Sequence, residues 1–173
     1  MKKLLFSVIF LISFYTTISA QTTKRFNYAK QPTGMTLGAY VGDESQFKVG
    51  VFSHYVYFSF SSNFASTDGN YTNADLTGGA SIQDKGKYGI TQYNLGPAIP
   101  LFNKEFYGIY IVPQGTYSRK FNILDDGTNK YKGDVVGEWG GAVDLMYVDH
   151  SGFTIQLGGS SVSGINIGAG YSF

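Results

Sequence analysis

Few residues of this 173-residue chain have types that could carry chemistry. His54 and His150 are its two histidines, and each has a serine beside it, Ser53 and Ser151. A histidine base acting on a serine nucleophile needs an acid to orient it. His54 has no acid at a readable spacing. Asp149-His150-Ser151-Gly152 has the composition of a turn, so both histidines are read as turn or interfacial residues. Glu138 and Asp144 share a parity but lie six positions apart, roughly 20 Å along a strand, too far for an acid–base pair. Asp125, Asp126, Asn129 and Asp134 offer oxygen ligands without the spacing of an EF-hand and read as a solvated loop. Gly137 to Gly141 and Gly158-Gly159 lack the Lys-Ser/Thr that completes a phosphate loop. The absence of cysteine excludes disulfides, thiolate metal sites, thiol nucleophiles and lipidated cysteine anchors. No catalytic, cofactor or metal site is expected.

The elements that hold these residues are strands. The chain carries 14 Phe, 14 Tyr, 1 Trp and 23 Gly, with only 14% charged residues and a net charge of +1. That balance offers no basic surface for nucleic acid. Residues 1–20 read as a signal peptide: basic Lys2 and Lys3, an apolar run from Leu4 to Tyr15, and a small, polar end at Ala20. Cleavage is expected between Ala20 and Gln21. Without Lys2 and Lys3, 11 basic residues face 12 acidic ones. Residues 21–33 form a polar lead-in, and the fold is expected over 34–173. No later apolar run approaches the roughly 20 residues of a spanning helix, so any membrane crossing must use strands.

Period-two alternation runs through most of that span. At the C-terminus Ile165, Ile167, Ala169, Tyr171 and Phe173 alternate with Asn166, Gly168, Gly170 and Ser172. Phe153, Ile155 and Leu157 alternate with Thr154, Gln156 and Gly158. From Val135 to Val148, Trp139, Val143, Leu145 and Tyr147 oppose Glu138, Gly140, Ala142 and Asp144. Further strands are expected over Phe106–Ser118, Tyr88–Leu101 and Met35–Val41, and two more within Phe47–Asn63, broken near Ser53-His54. Phe64–Gly86 and Lys120–Asp134 alternate poorly and are read as loops, the first with a short hairpin near Asp84-Lys85-Gly86-Lys87. This makes eight strands.

Alternation alone does not say which face points inward. The non-apolar face is dominated by glycine and small polar residues, whereas a soluble exterior carries Lys and Glu. Charges gather in the turns, aromatics gather near strand ends, and short connections alternate with long ones. These are the features of a transmembrane barrel with its apolar face toward lipid. Trp139, Val143, Leu145, Ile155, Leu157, Ile165 and Ile167 are therefore expected to face lipid. Lys48, Gln92, Gln114, Glu138, Asp144 and Gln156 are expected to form a polar network in the lumen, since buried charges need partners. Eight strands enclose a space filled by side chains, not an open pore.

The signal-like start, the Gly- and Tyr-rich alternating strands and the ending Gly168-Ala169-Gly170-Tyr171-Ser172-Phe173 resemble the small outer-membrane β-barrels of Gram-negative bacteria. OmpA- and OmpX-type eight-stranded barrels are the nearest general pattern, without the peptidoglycan-binding domain of full-length OmpA-type chains. The resemblance implies an all-β, antiparallel, up-and-down barrel in the outer membrane. It implies contact with outer-membrane lipid, insertion by the barrel-assembly machinery reading Tyr171 and Phe173, and a structural or surface-interaction role with an extracellular partner. It names no activity, since such folds host many. Two alternatives stand beside it: a lipid-modifying barrel enzyme, and a soluble periplasmic barrel with reversed faces that binds an apolar ligand.

Overall fold

The computed structural model describes residues 32–42, 44–53, 55–70, 83–127 and 129–173. The expected signal peptide with its Ala20–Gln21 junction, nearly all of the lead-in, His54 and residues 71–82 lie outside this set. The strands are β1 (Thr33–Val41), β2 (Gln46–Ser53), β3 (Val56–Ser62), β4 (Gly69–Asn70), β5 (Gln83–Pro97), β6 (Ile99–Asn103), β7 (Tyr107–Asp125), β8 (Lys130–Asp149), β9 (Phe153–Ser160) and β10 (Gly164–Ser172).

Neighbours in the wall pair antiparallel, and β1 pairs with β10 from Gly34↔Ser172 to Val41↔Ile165, which closes the ring. β5 and β6 make one stave, interrupted at buried Ala98, whose N–H bonds the Tyr55 carbonyl at 2.7 Å. The two residues of β4 stand outside the wall, paired parallel with Tyr131 and Lys132. Nine of the ten segments thus build eight staves, a closed all-β barrel in up-and-down order.

Strand propensity explains the staves. Most outward positions carry β-branched, aromatic or leucine side chains that fit a pleated surface, while many inward positions are small or polar. At Gly96 and Gly170, a Cβ would overlap a backbone oxygen of the next stave, so the narrow interior requires glycine there. Gly164 ends the β9–β10 turn at φ 79°, a left-handed conformation that favours glycine.

The wall is uneven in height. β3 has 7 residues and β9 has 8, whereas β7 has 19 and β8 has 20. Above Ala142↔Ser160, β8 has left β9 and, among the described residues, pairs with β7 and, at its start, β4. β5, β7 and β8 therefore rise past the rim as a three-stranded blade, on the end opposite Pro32 and Phe173. This corrects the reading of Lys120–Asp134 as a loop: β7 runs to Asp125, β8 starts at Lys130, and a short turn joins them. Both faces of the blade meet solvent, so its sequence need not alternate. The expected hairpin at residues 84–87 is instead an irregularity in β5, where the register shifts between Asp84 and Tyr88 and Gly86 has φ 66°.

Candidate functional site: a filled lumen and a projecting blade

The lumen is organised around Asp144, which is fully buried. Its Oδ2 accepts hydrogen bonds from Lys48 Nζ at 2.9 Å, Gln114 Nε2 at 2.7 Å and Gln156 Nε2 at 2.6 Å, and its Oδ1 accepts one from Asn166 Nδ2 at 2.7 Å. The Lys48 ammonium also donates to Asn166 Oδ1 at 3.0 Å and lies over the rings of Tyr40 and Tyr57, 5.1 and 5.5 Å from their centroids. Hydrogen bonds thus tie the ion pair into five staves, and the two rings add β1 and β3. Asp144 opposes Gly158 across β8 and β9, and a Cβ at Gly158 would overlap the carboxylate.

A second network lies toward the blade. Gln92 donates to the Tyr40 hydroxyl at 3.2 Å and to Asn94 at 2.8 Å, and Asn94 donates to Ser59 at 2.9 Å. Gln46 donates to Ser163 at 2.7 Å, Ser61 donates to Gln46 at 2.8 Å, and the Ser163 hydroxyl bonds Gln92 Oε1. Toward the chain termini the lumen turns apolar: Phe52, Tyr57, Ala98, Tyr110, Val112, Met146 and Val148 pack together. This seal was not foreseen. Its signal was present, since Val112, Met146 and Val148 share the parity of Gln114 and Asp144, where a merely polar lumen has no use for them.

Of the expected lumen residues, Lys48, Gln92, Gln114, Asp144 and Gln156 are buried inside the ring. Glu138 is not. It shares their parity but stands above the level where β8 and β9 part, 49% exposed, with Lys120 Nζ 3.6 Å away. Parity assigned its face correctly, but at that height there is no lumen to enter. Trp139, Val143, Leu145, Ile155, Leu157, Ile165, Ile167 and Tyr171 all point outward and are exposed, as is Phe173, whose N–H bonds the Thr33 carbonyl at 2.8 Å.

The remaining candidates serve turns. Asp149 Oδ1 accepts the Ser151 N–H, the Ser151 hydroxyl and the Phe153 N–H at 2.8, 2.7 and 2.9 Å. Burial acts to raise the Asp149 pKa, but the Ser151 hydroxyl, the Phe153 and Ser151 N–H groups and nearby His150 outweigh it and hold the carboxyl below its ordinary value of 3.8. The His150 ring stands edge-on to Phe106. In the blade turn, Asp125 and Asp126 accept the Gly127 and Asn129 N–H groups, both at 2.7 Å, and Tyr131 donates to Asp126 at 3.0 Å. Asp134 lies in β8, not in that turn.

The β5 edge of the blade is capped. On β5, the Tyr88 N–H bonds Glu44 Oε1 at 3.1 Å and its carbonyl accepts Asn63 Nδ2 at 2.7 Å, while the Ile90 N–H bonds Asn63 Oδ1 at 3.0 Å. On the outer face, Tyr117 and Trp139 pair with ring centroids 4.8 Å apart, and Trp139 is 80% exposed.

No protein-family model and no curated protein matches this sequence. Among solved structures, the chain is similar to Ail, the attachment invasion locus protein of Yersinia pestis, at 13% identity and a TM-score of 0.35, over 83% of this chain and 96% of that one. The barrel assignment rests on the chain's own closed register.

Proposed function

We propose that this protein is an outer-membrane barrel with a structural and surface-interaction role, embedded by its apolar exterior and presenting the blade outside the cell. The observation that carries the reading is the inversion of the fold. A charged pair lies in the centre of the ring, while Leu37, Val51, Leu95, Leu145, Ile155 and Ile167 face outward. A continuous apolar exterior on a closed barrel is costly in water and suited to hydrocarbon. The reversed, soluble reading with an apolar ligand inside does not fit a lumen already filled by its own side chains.

The exterior also supports the lipid-facing role of the outward residues. The position of Tyr171 on the closing stave and of Phe173 just past its end supports their use as the signal for the assembly machinery. The apolar seal supports a barrel that does not conduct. Fractionation tests the location: the protein should stay with the outer membrane until detergent is added, and recovery in the soluble periplasm would overturn the reading. Reconstitution in planar bilayers tests the seal, where no steady conductance is expected. Deleting the protein should leave the membrane lipid profile unchanged; an altered profile would favour the lipid-modifying enzyme.

A further inference from the structure

We infer that the outer face of the wall holds a site for one anionic phospholipid. An acyl chain lies in a glycine-floored hollow on β7, β8 and β9, and the phosphate meets Arg119. The proposal rests on the outer-membrane reading and gives that membrane contact a particular lipid.

Three glycines make the hollow. Gly115 and Gly141 oppose each other across β7 and β8, and Gly159 lies one stave further, between Val143 and Ile165. All three share the parity of the outward residues. Unlike Gly96 and Gly170, none is forced to be glycine by a crowded neighbour. A Cβ at Gly115, Gly141 or Gly159 would come no nearer than 3.9, 3.8 or 3.6 Å to another stave. Glycine inside a strand weakens it, and often marks a place where another group approaches closely. Together the three leave an open depression of about 840 Å³, walled by Leu95, Pro113, Val143 and Ile165.

Its height in the wall identifies what fills it. Tyr107 and Tyr117 stand at the two ends of the outward row on β7, roughly 33 Å apart along the strand. At the tilt of a membrane barrel that is about the 25 Å height of the apolar band. Tyr107 stacks with Tyr147 at one border, and Tyr117 packs on Trp139 at the other. Such rings sit at the level of lipid headgroups. Gly115 and Gly141 come one outward position inside the second border, on the spanning wall below the blade, so the hydrocarbon of the outer leaflet faces them.

Just past that border the same face turns basic. Arg119 is exposed at the next outward position of β7, and Lys132 Nζ lies 4.9 Å from the centroid of the outward Phe121 ring. Among the described residues no carboxylate pairs with Arg119. The nearby Glu138 has the opposite parity to Trp139 and is met by Lys120. A lipid whose chain enters the hollow passes the Tyr117–Trp139 rings and brings its phosphate to the guanidinium, which binds phosphate through paired donors. A zwitterionic headgroup would add a cation beside Arg119 and Lys132, so a headgroup of net negative charge fits better. A second copy of this chain docked on this face would bring its own Arg119 and Lys132 to the same level, like charge against like.

Trp139 is the chain's one tryptophan and borders the hollow, so its fluorescence reads the site. The test uses the full chain folded into phosphatidylcholine vesicles that contain a small fraction of phosphatidylglycerol with brominated acyl chains, which quench indole on contact. Quenching should exceed that given by the same fraction of brominated phosphatidylcholine. Arg119→Gln should lower this preference about fivefold. Gly141→Leu, which fills the hollow, should bring quenching by the anionic lipid down to the phosphatidylcholine level. Lys104→Gln, at the opposite end of the barrel, should keep the wild-type preference. Equal quenching of the wild type by the two lipids overturns the inference, and so does a preference that survives both Arg119→Gln and Gly141→Leu. A loss in Lys104→Gln as large as in Arg119→Gln would replace the site by a general charge effect. Cross-linked dimers that Gly141→Leu abolishes would make the occupant a second copy. Each of these results can fall against the lipid site while the protein still fractionates with the outer membrane.

Discussion

At Asp144 a single carboxylate receives four side-chain donors, one of them charged, in a space with no access for solvent. Removing one member of a buried ion pair leaves the other uncompensated, which costs about 3–5 kcal/mol. Lys48→Met should therefore lower the unfolding free energy by about that amount, and adding Asp144→Leu should restore part of it. Urea titration of the refolded barrel, followed by Trp139 fluorescence, measures both. The same assay separates two adjacent glycines. Gly158→Ala pushes against the Asp144 carboxylate and should destabilise by about 1–3 kcal/mol. Gly159→Ala has room, since its Cβ would meet nothing nearer than the Gly164 carbonyl at 3.6 Å, and should be close to neutral. Asp149 ends β8 and caps the exposed turn that follows it at the terminal end. Because its folded pKa lies below the ordinary value, its stabilisation is complete above that value and is lost as the pH falls through the lowered one. Asp149→Asn should remove part of the stability change seen between about pH 5 and pH 3, read as a shallower acid titration than the wild type.

At the scale of elements, the capped β5 edge of the blade makes a prediction. Replacing Asn63 and Glu44 by alanine together should expose the Tyr88 and Ile90 backbone groups. The variant should then self-associate in detergent where the wild type does not, as light scattering or cross-linking would show. The blade also marks how far the sequence could be read. β9 and β10 were legible because Ile155, Leu157, Ile165 and Ile167 occupy every second position with one face to an apolar exterior. The upper halves of β7 and β8 were not, since a two-faced blade in water imposes no such period. There Lys120, Asp125, Lys130 and Asp134 sit on strands held by backbone pairing across the β7–β8 hairpin and, for β7, against β5. The same cause misplaced Glu138: its parity was readable, and the height at which β8 leaves β9 was not. Inside the ring, Lys48 and Asp144 were legible as charges needing partners. The apolar seal at Phe52, Tyr110 and Met146 was hidden by the expectation that a lumen is uniformly polar.

For the whole molecule, closure is the governing feature. Deleting Phe173 should impair insertion, giving less of the heat-modifiable band on gels; normal amounts would count against the terminal signal. The ring also sets the order in which the molecule can become stable. Lys48 reaches Asp144 across 96 positions of sequence and Asn166 across 118, and Asn166 lies on the final stave. Until that stave is in place against β1, the Asp144 carboxylate lacks a donor and the wall has two raw edges. Partly built rings therefore gain little, and unfolding should proceed as one event without a stable half-barrel. A protease nick in any stave would be felt at the same carboxylate, so the buried pair acts as a checkpoint on whether the ring is complete.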